Sequence, residues 1–216
     1  MSETNGNANG SGKGAREVEG RGADGAQGPR AGAGATAARR SHWSTRELVT
    51  MALFAAMVMV LSFIEIPSPF MPYLKWDLSG VISLICGLMF GPVAGVVVTV
   101  VGWLPKIFMD PLGVLVAICT MVGTVIVTGV IYGHNKSRRG AVVALAVGAV
   151  VFIALAIVLN LLITPLYTAG VTVAAVAAMI VPILLPFNII KAVYLAVITF
   201  LLYKPVSNLV KGTNRK

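Results

Sequence analysis

The chain has 216 residues, of which 57% are apolar and 12% charged, and its formal net charge is +9. A soluble domain carries about 25% charged residues, so this composition excludes a soluble enzyme and a wholly disordered chain. The charge is not distributed as in a nucleic-acid binder: most Lys and Arg beyond residue 40 flank apolar runs, where membrane proteins keep their cytoplasmic charge.

Residues 1–40 are dominated by Gly, Ala and polar residues, contain no aromatic side chain, and read as a disordered cytoplasmic tail. They lack the apolar stretch expected of a signal peptide. Gly10-Ser11-Gly12-Lys13-Gly14 is a poor phosphate loop, with Asn7 in place of the first Gly and Gly14 in place of the Ser/Thr.

Five apolar runs follow, at 48–64, 78–105, 112–133, 141–164 and 182–203, the last interrupted by Lys191. A crossing helix needs about 20 residues. The second run has 28 residues, and as one helix it would be about 42 Å long. Gly91-Pro92 sits in its middle, where Pro breaks the helical ladder. Splitting it gives six spans and places three basic clusters on one side: Arg39/Arg40/Arg46, Lys136/Arg138/Arg139 and Lys204/Lys211/Arg215/Lys216. Five spans would divide them across the membrane, so the positive-inside rule selects six. The expected fold is an all-α integral membrane protein with six transmembrane helices and both termini cytoplasmic. Its parts are the tail 1–40, a membrane domain 41–210 and a basic tail 211–216. The outer loops fall near 65–77, 108–111 and 165–181, and the last, rich in Ala and Val, is expected to form a helix across the outer mouth rather than a seventh span.

Few ionisable residues lie in the membrane part: Glu65, Lys75 and Asp77 in the first outer loop, Lys106 and Asp110 around the next, and Lys191 in the sixth span. Lysine within a span is costly and normally faces a cavity or a partner. For Lys191, near the outer end of its helix, two roles stand open: ligand contact, and snorkelling or a structural pair. Asn188, three residues earlier, shares its face. Asn160, in the fifth span, can act as interhelical glue or as an anchor for a ligand. Asn160, Asn188, Lys191, Lys75 and Asp77 fall toward the same outer half, which points to a pocket there. Tyr73, Trp76, Trp103 and Tyr167 fit an interfacial belt and ligand stacking equally.

No reaction centre is legible. Cys86 and Cys119 are isolated and read as packing residues, while His42 and His134 are expected on the cytoplasmic side and do not form a metal pair. No carboxylate lies within a span, so transport energy is expected to come from a partner. On the first span, Ala52, Ala55 and Ala56 include a small-xxx-small face that lets another helix approach closely.

Four segments carry a resemblance over about residues 45–205. They are Pro72-Tyr73-Leu74-Lys75-Trp76-Asp77-Leu78-Ser79, Gly87-Leu88-Met89-Phe90-Gly91-Pro92-Val93-Ala94-Gly95, Asn160 before Thr164-Pro165-Leu166-Tyr167, and Pro186-Phe187-Asn188-Ile189-Ile190-Lys191. With them the chain resembles the substrate-binding S components of energy-coupling factor (ECF) transporters, most of all the riboflavin-specific ones. The resemblance implies a six-helix fold that takes up vitamin from outside, with the first outer loop as a lid. It implies docking on a transmembrane coupling subunit and two ATPase subunits, through Ala52 and Ala56. It also implies that riboflavin is held by Leu74, Lys75, Asp77, Asn160, Tyr167, Asn188 and Lys191. On this reading the chain has no cofactor, riboflavin is the transported ligand, and ATP is consumed by the partners. Gly80 and Ile82 depart from the family's Asp and Pro after the lid, and Pro105-Lys106-Ile107 replaces a Lys-Asn pair. Three other readings remain: an S component for another vitamin or a modified base, a self-sufficient small permease and, least favoured because no catalytic cluster is legible, a membrane enzyme.

Overall fold

The computed structural model describes residues 43–69, 74–167, 170 and 172–212, with the side chains of 167 and 210–212 outside the description. The tail 1–40 and residues 213–216 of the basic tail 211–216 lie outside the described residues, as do Pro72 and Tyr73.

The first helix, α1 (Thr45–Phe63), starts at a capping box: the Ser44 hydroxyl accepts from the Glu47 backbone N–H, and the Glu47 carboxylate accepts from the Ser44 N–H. The chain then forms a two-stranded antiparallel strap, β1 (Ile66–Pro67) and β2 (Lys75–Trp76), in the register Ile66 to Trp76 and Pro67 to Lys75. Next come α2 (Ser79–Phe90) and α3 (Pro92–Trp103). The 28-residue apolar run therefore divides at Gly91, whose φ of 97° suits glycine, and Pro92 opens α3, where its missing N–H costs no helical bond.

A 3-10 turn (Leu104–Phe108) leads to α4 (Pro111–His134), capped by the Asp110 carboxylate, which accepts from the Gly113 N–H at 3.0 Å. A short link brings the chain to α5 (Arg138–Tyr167). The Ala- and Val-rich stretch then forms only a seven-residue helix, α6 (Val173–Met179). A π-helical turn (Ile180–Leu184) carries it into α7 (Leu185–Gly212). Four helical stretches are long and apolar enough to cross a membrane, the last of them being Val173–Leu209, which joins α6 to α7. At 12 residues each, α2 and α3 are shorter than one full crossing.

Helix α2 is the centre of the bundle and packs against α1, α3, α4 and α7. Its sequence is apolar or small all round, so burial on every side costs little. The outside is also apolar: Leu53, Val60, Val101, Val150, Val193 and Leu201 are exposed, as a chain solvated by lipid requires.

Candidate ligand-binding site

The ends of the helices converge on one cavity of about 110 Å³. Glu65 reaches it just past the end of α1, Lys75 from β2, Gly80 from the start of α2 and Trp103 from the end of α3. Asp110 and Gly113 reach it at the start of α4, Asn160 late in α5, and Asn188 with Lys191 early in α7. Met121, Phe152, Ala156, Phe187 and Leu195 form much of its apolar wall. This is the composition of a small-molecule site: mostly apolar, with a few placed polar groups.

Two ion-pair clusters hold the strap over the cavity. In the first, the Lys191 ammonium from α7 donates to the Asp77 carboxylate at 2.8 Å and to the Lys75 carbonyl at 2.9 Å. Asp77 also accepts from the backbone N–H and hydroxyl of Ser79. Burial alone would raise the Asp77 pKa, but the Lys191 charge and these hydrogen bonds hold it below the usual carboxylate value. In the second, Lys75 bridges Glu65 at 3.1 Å and Asp110 at 3.3 Å, and buried Lys106 pairs with Glu65 and donates to the Ser62 carbonyl at 2.6 Å. Burial pulls the Lys75 pKa down, yet Glu65 and Asp110 outweigh it and leave the group raised. Trp76 completes the attachment, its ring 4.6 Å from Phe187 and 5.6 Å from Tyr194 between centroids. It serves as an aromatic clasp between strap and α7 rather than a belt residue.

The polar side chains keep capacity in reserve. Lys191 uses two of its three N–H donors within the protein. Asn188 donates one amide N–H to the Leu184 carbonyl, and its side-chain carbonyl has no partner among the described residues. Asn160 donates to the Ala156 carbonyl and accepts from Thr164, which leaves one N–H. Two further lining groups, the Trp103 indole N–H and the Thr120 hydroxyl, are buried with no hydrogen-bond partner among the described residues. Unpaired buried donors are uncommon in native proteins and mark a place where something else can bind.

Of the sequence-derived candidates, Leu74, Lys75, Asp77, Asn160, Asn188 and Lys191 all line this cavity. The side chain of Tyr167 lies outside the described residues. Ala52 and Ala56 are elsewhere, exposed on α1, while Ala55 turns into the bundle. Glu65 and Asp110, noted in the sequence only as ionisable loop residues, and Trp103, open there between belt and stacking, also line the cavity, and Thr120 was not singled out at all. Thr120 had a signal: Thr120, Thr124 and Thr128 recur every fourth residue, and all three are buried on one face of α4.

Comparison with known proteins places the fold in a family. "Riboflavin transporter RibU" of Staphylococcus aureus (strain TCH60) is 32% identical over 175 residues, covering 77% of this chain and 93% of that protein. "Riboflavin transporter FmnP" of Bacillus subtilis (strain 168) is 27% identical over 171 residues, covering 73% and 90%. A solved chain described as the S component of a bacterial ECF transporter superposes with a TM-score of 0.66 at 32% identity, over 77% of this chain and 98% of that one. Residues 46–203 match the family model for the ECF transporter substrate-specific component. With its long apolar helices, the chain thus belongs to the substrate-specific components of ECF transporters, multi-pass proteins of the cell membrane.

Proposed function

We propose that this chain is the riboflavin-binding subunit of an ATP-driven uptake transporter. It captures the vitamin from outside and passes it inward with a transmembrane coupling subunit and two ATPase subunits. The observation that carries the reading is the cavity on which Asn160, Asn188 and Lys191 converge with donors and acceptors unused among the described residues. The names of the two relatives supply the ligand.

The chemistry fits. Riboflavin presents a flat ring with a carbonyl–imide edge and a chain of hydroxyls. The Asn188 amide matches the edge, which both donates and accepts, while the spare Lys191 N–H suits a carbonyl or hydroxyl. Phe152, Phe187 and Leu195 would cover the ring faces. The cavity of about 110 Å³ is smaller than the roughly 150 Å³ site that admits benzene. A three-ring ligand therefore needs the site to widen, and movement of the strap as a lid would provide this. Lys191 then has a double role, pinning the lid through Asp77 and meeting the ligand beneath it.

The topology that goes with this has six crossings, with α2 and α3 as the second and third and both termini cytoplasmic. The ends of α1, α3 and α5 and the starts of α2, α4 and α7 all meet at the cavity, as alternating crossings require. Arg46, Lys136, Arg138 and Lys204 then lie at the cytoplasmic end. Ala52 and Ala56 present a small-residue face to the coupling subunit, and the chain itself requires no cofactor.

The test is a riboflavin titration of the purified chain, following quenching of flavin fluorescence. Saturable quenching at one site per chain is expected. A chain that ignores riboflavin but binds another vitamin retains the family and rejects the ligand. Transport by the chain alone in liposomes, without ATPases, rejects the subunit role.

A further inference from the structure

We propose that the end of the bundle opposite the cavity holds the phosphate of an anionic phospholipid. A second concavity, of about 410 Å³, lies between the end of α4, the start of α5 and the last turns of α7. It is more than ten times the roughly 30 Å³ that one water occupies in the liquid. Lys136, Arg138 and Lys204 line it, and among the described residues no carboxylate pairs with any of them. The contrast with the cavity end is sharp, since Glu65, Asp77 and Asp110 there are all paired with lysines.

The neutral groups in the groove are also short of acceptors. Ser207 lines it at 7% exposure, and its hydroxyl has no hydrogen-bond partner among the described residues. The hydroxyls of Tyr132 and Tyr203 bond to each other. That contact uses one of their two O–H donors, so the other has no acceptor among the described residues. Three cations with free hydroxyl donors make a site for an oxyanion, whose charge-assisted hydrogen bonds are the strong ones.

The apolar wall selects a lipid over a free anion. Phe200 and Leu201 line the groove and are exposed, and Val193 and Val197 continue the exposed apolar surface of α7 away from it. A headgroup phosphate in the groove would thus leave its acyl chains along a helix already facing hydrocarbon. Basic pockets at the cytoplasmic ends of membrane helices suit anionic headgroups in the same way.

The test uses the full chain in a neutral detergent, titrated with phosphatidylglycerol, phosphatidylcholine or inorganic phosphate. Native mass spectrometry counts bound lipid, and the thermal unfolding midpoint reports protection. The expected result is one retained phosphatidylglycerol per chain and a raised midpoint, with neither effect from phosphatidylcholine. The triple variant K136Q/R138Q/K204Q should weaken phosphatidylglycerol binding at least tenfold, and Ser207→Ala several-fold. These charged side chains are exposed, and the midpoint without lipid checks that each variant folds; Lys204→Gln alone repeats the test with one charge removed. Equal retention of phosphatidylcholine, or unchanged affinity in the triple variant, overturns the proposal. Equal protection by inorganic phosphate makes the groove a free-anion site and overturns the lipid assignment. None of these readouts depends on riboflavin.

Discussion

Asp77 joins three parts of the molecule: it belongs to the strap, it accepts from Ser79 at the start of α2, and it holds Lys191 of α7. Lys191 and its neighbour Asn188 should therefore fail differently when truncated. Asn188→Ala removes spare hydrogen-bonding capacity and should weaken riboflavin by about 1–3 kcal/mol, with little change in unfolding temperature. Lys191→Ala leaves a buried carboxylate unpaired and should also cost about 3–5 kcal/mol of stability. Flavin titration and thermal unfolding of both variants check this, and equal unfolding temperatures would contradict it. The pairs also set a pH window. The lowered Asp77 pKa contributes stability above its unfolded value, and this is lost as pH falls through the lower folded value. The raised Lys75 pKa contributes stability below its unfolded value, and this is lost as pH rises through the higher folded one. The unfolding midpoint should therefore be flat between roughly pH 5 and pH 9, the span separating ordinary carboxylates from lysines. A decline setting in near neutrality would count against both pairs. Polar residues stand out in so apolar a chain, which is why most of the site was legible. Their partners were not, because Asp77 and Lys191 lie 114 residues apart and Lys75 and Asp110 lie 35 apart. Trp103 looked like the end of a span, and only the fold shows its N–H buried without a partner.

The helices differ in how much change their contacts tolerate. At Gly95 on α3, an added Cβ would sit 2.8 Å from the Gly87 Cα on α2 and 2.5 Å from a Val125 methyl on α4. Backbone meets backbone there, as in membrane helix pairs built on small residues. Gly95→Ala should cost about 1–3 kcal/mol through overpacking. Gly133, near the end of α4, has nothing within 4 Å of such a Cβ, and Gly133→Ala should be neutral or stabilise by up to about 1 kcal/mol. Thermal unfolding of the two variants side by side tests the contrast, and equal effects would remove the close-packing argument. Sequence reasoning placed the division at Gly91-Pro92 because a helix breaker writes itself into the chain. In residues 165–181, expected as a helix across the outer mouth, a helix does form, the short α6, and it runs through a π turn containing Pro182 into α7. Proline lacks the N–H a regular helix needs, and the wider turn takes it up. Whether such a proline stops a helix or only widens it depends on packing, so the sequence left it undecided.

Across the whole molecule, the proposed function puts capture and coupling on different surfaces. The cavity end balances Glu65, Asp77 and Asp110 against Lys75, Lys106 and Lys191, and all but Lys106 line the cavity. The α1 face bearing Ala52 and Ala56 points outward, since both are exposed while Met51, Phe54, Ala55 and Val58 are buried. A methyl-sized side chain facing lipid contributes little to the isolated bundle, yet it sets how closely another helix can approach. Ala52→Leu with Ala56→Leu should accordingly leave riboflavin affinity within about twofold and the unfolding temperature nearly unchanged, because surface substitutions of this kind move stability by roughly 0.5 kcal/mol or less. Coupling should fail instead. The variant would no longer co-purify with the coupling subunit and ATPases, and vitamin uptake would be lost in cells that depend on it. Loss of flavin binding together with uptake would mean that α1 shapes the cavity. Retained uptake would move the docking face to another helix, leaving the small residues of α1 as ordinary lipid-facing surface.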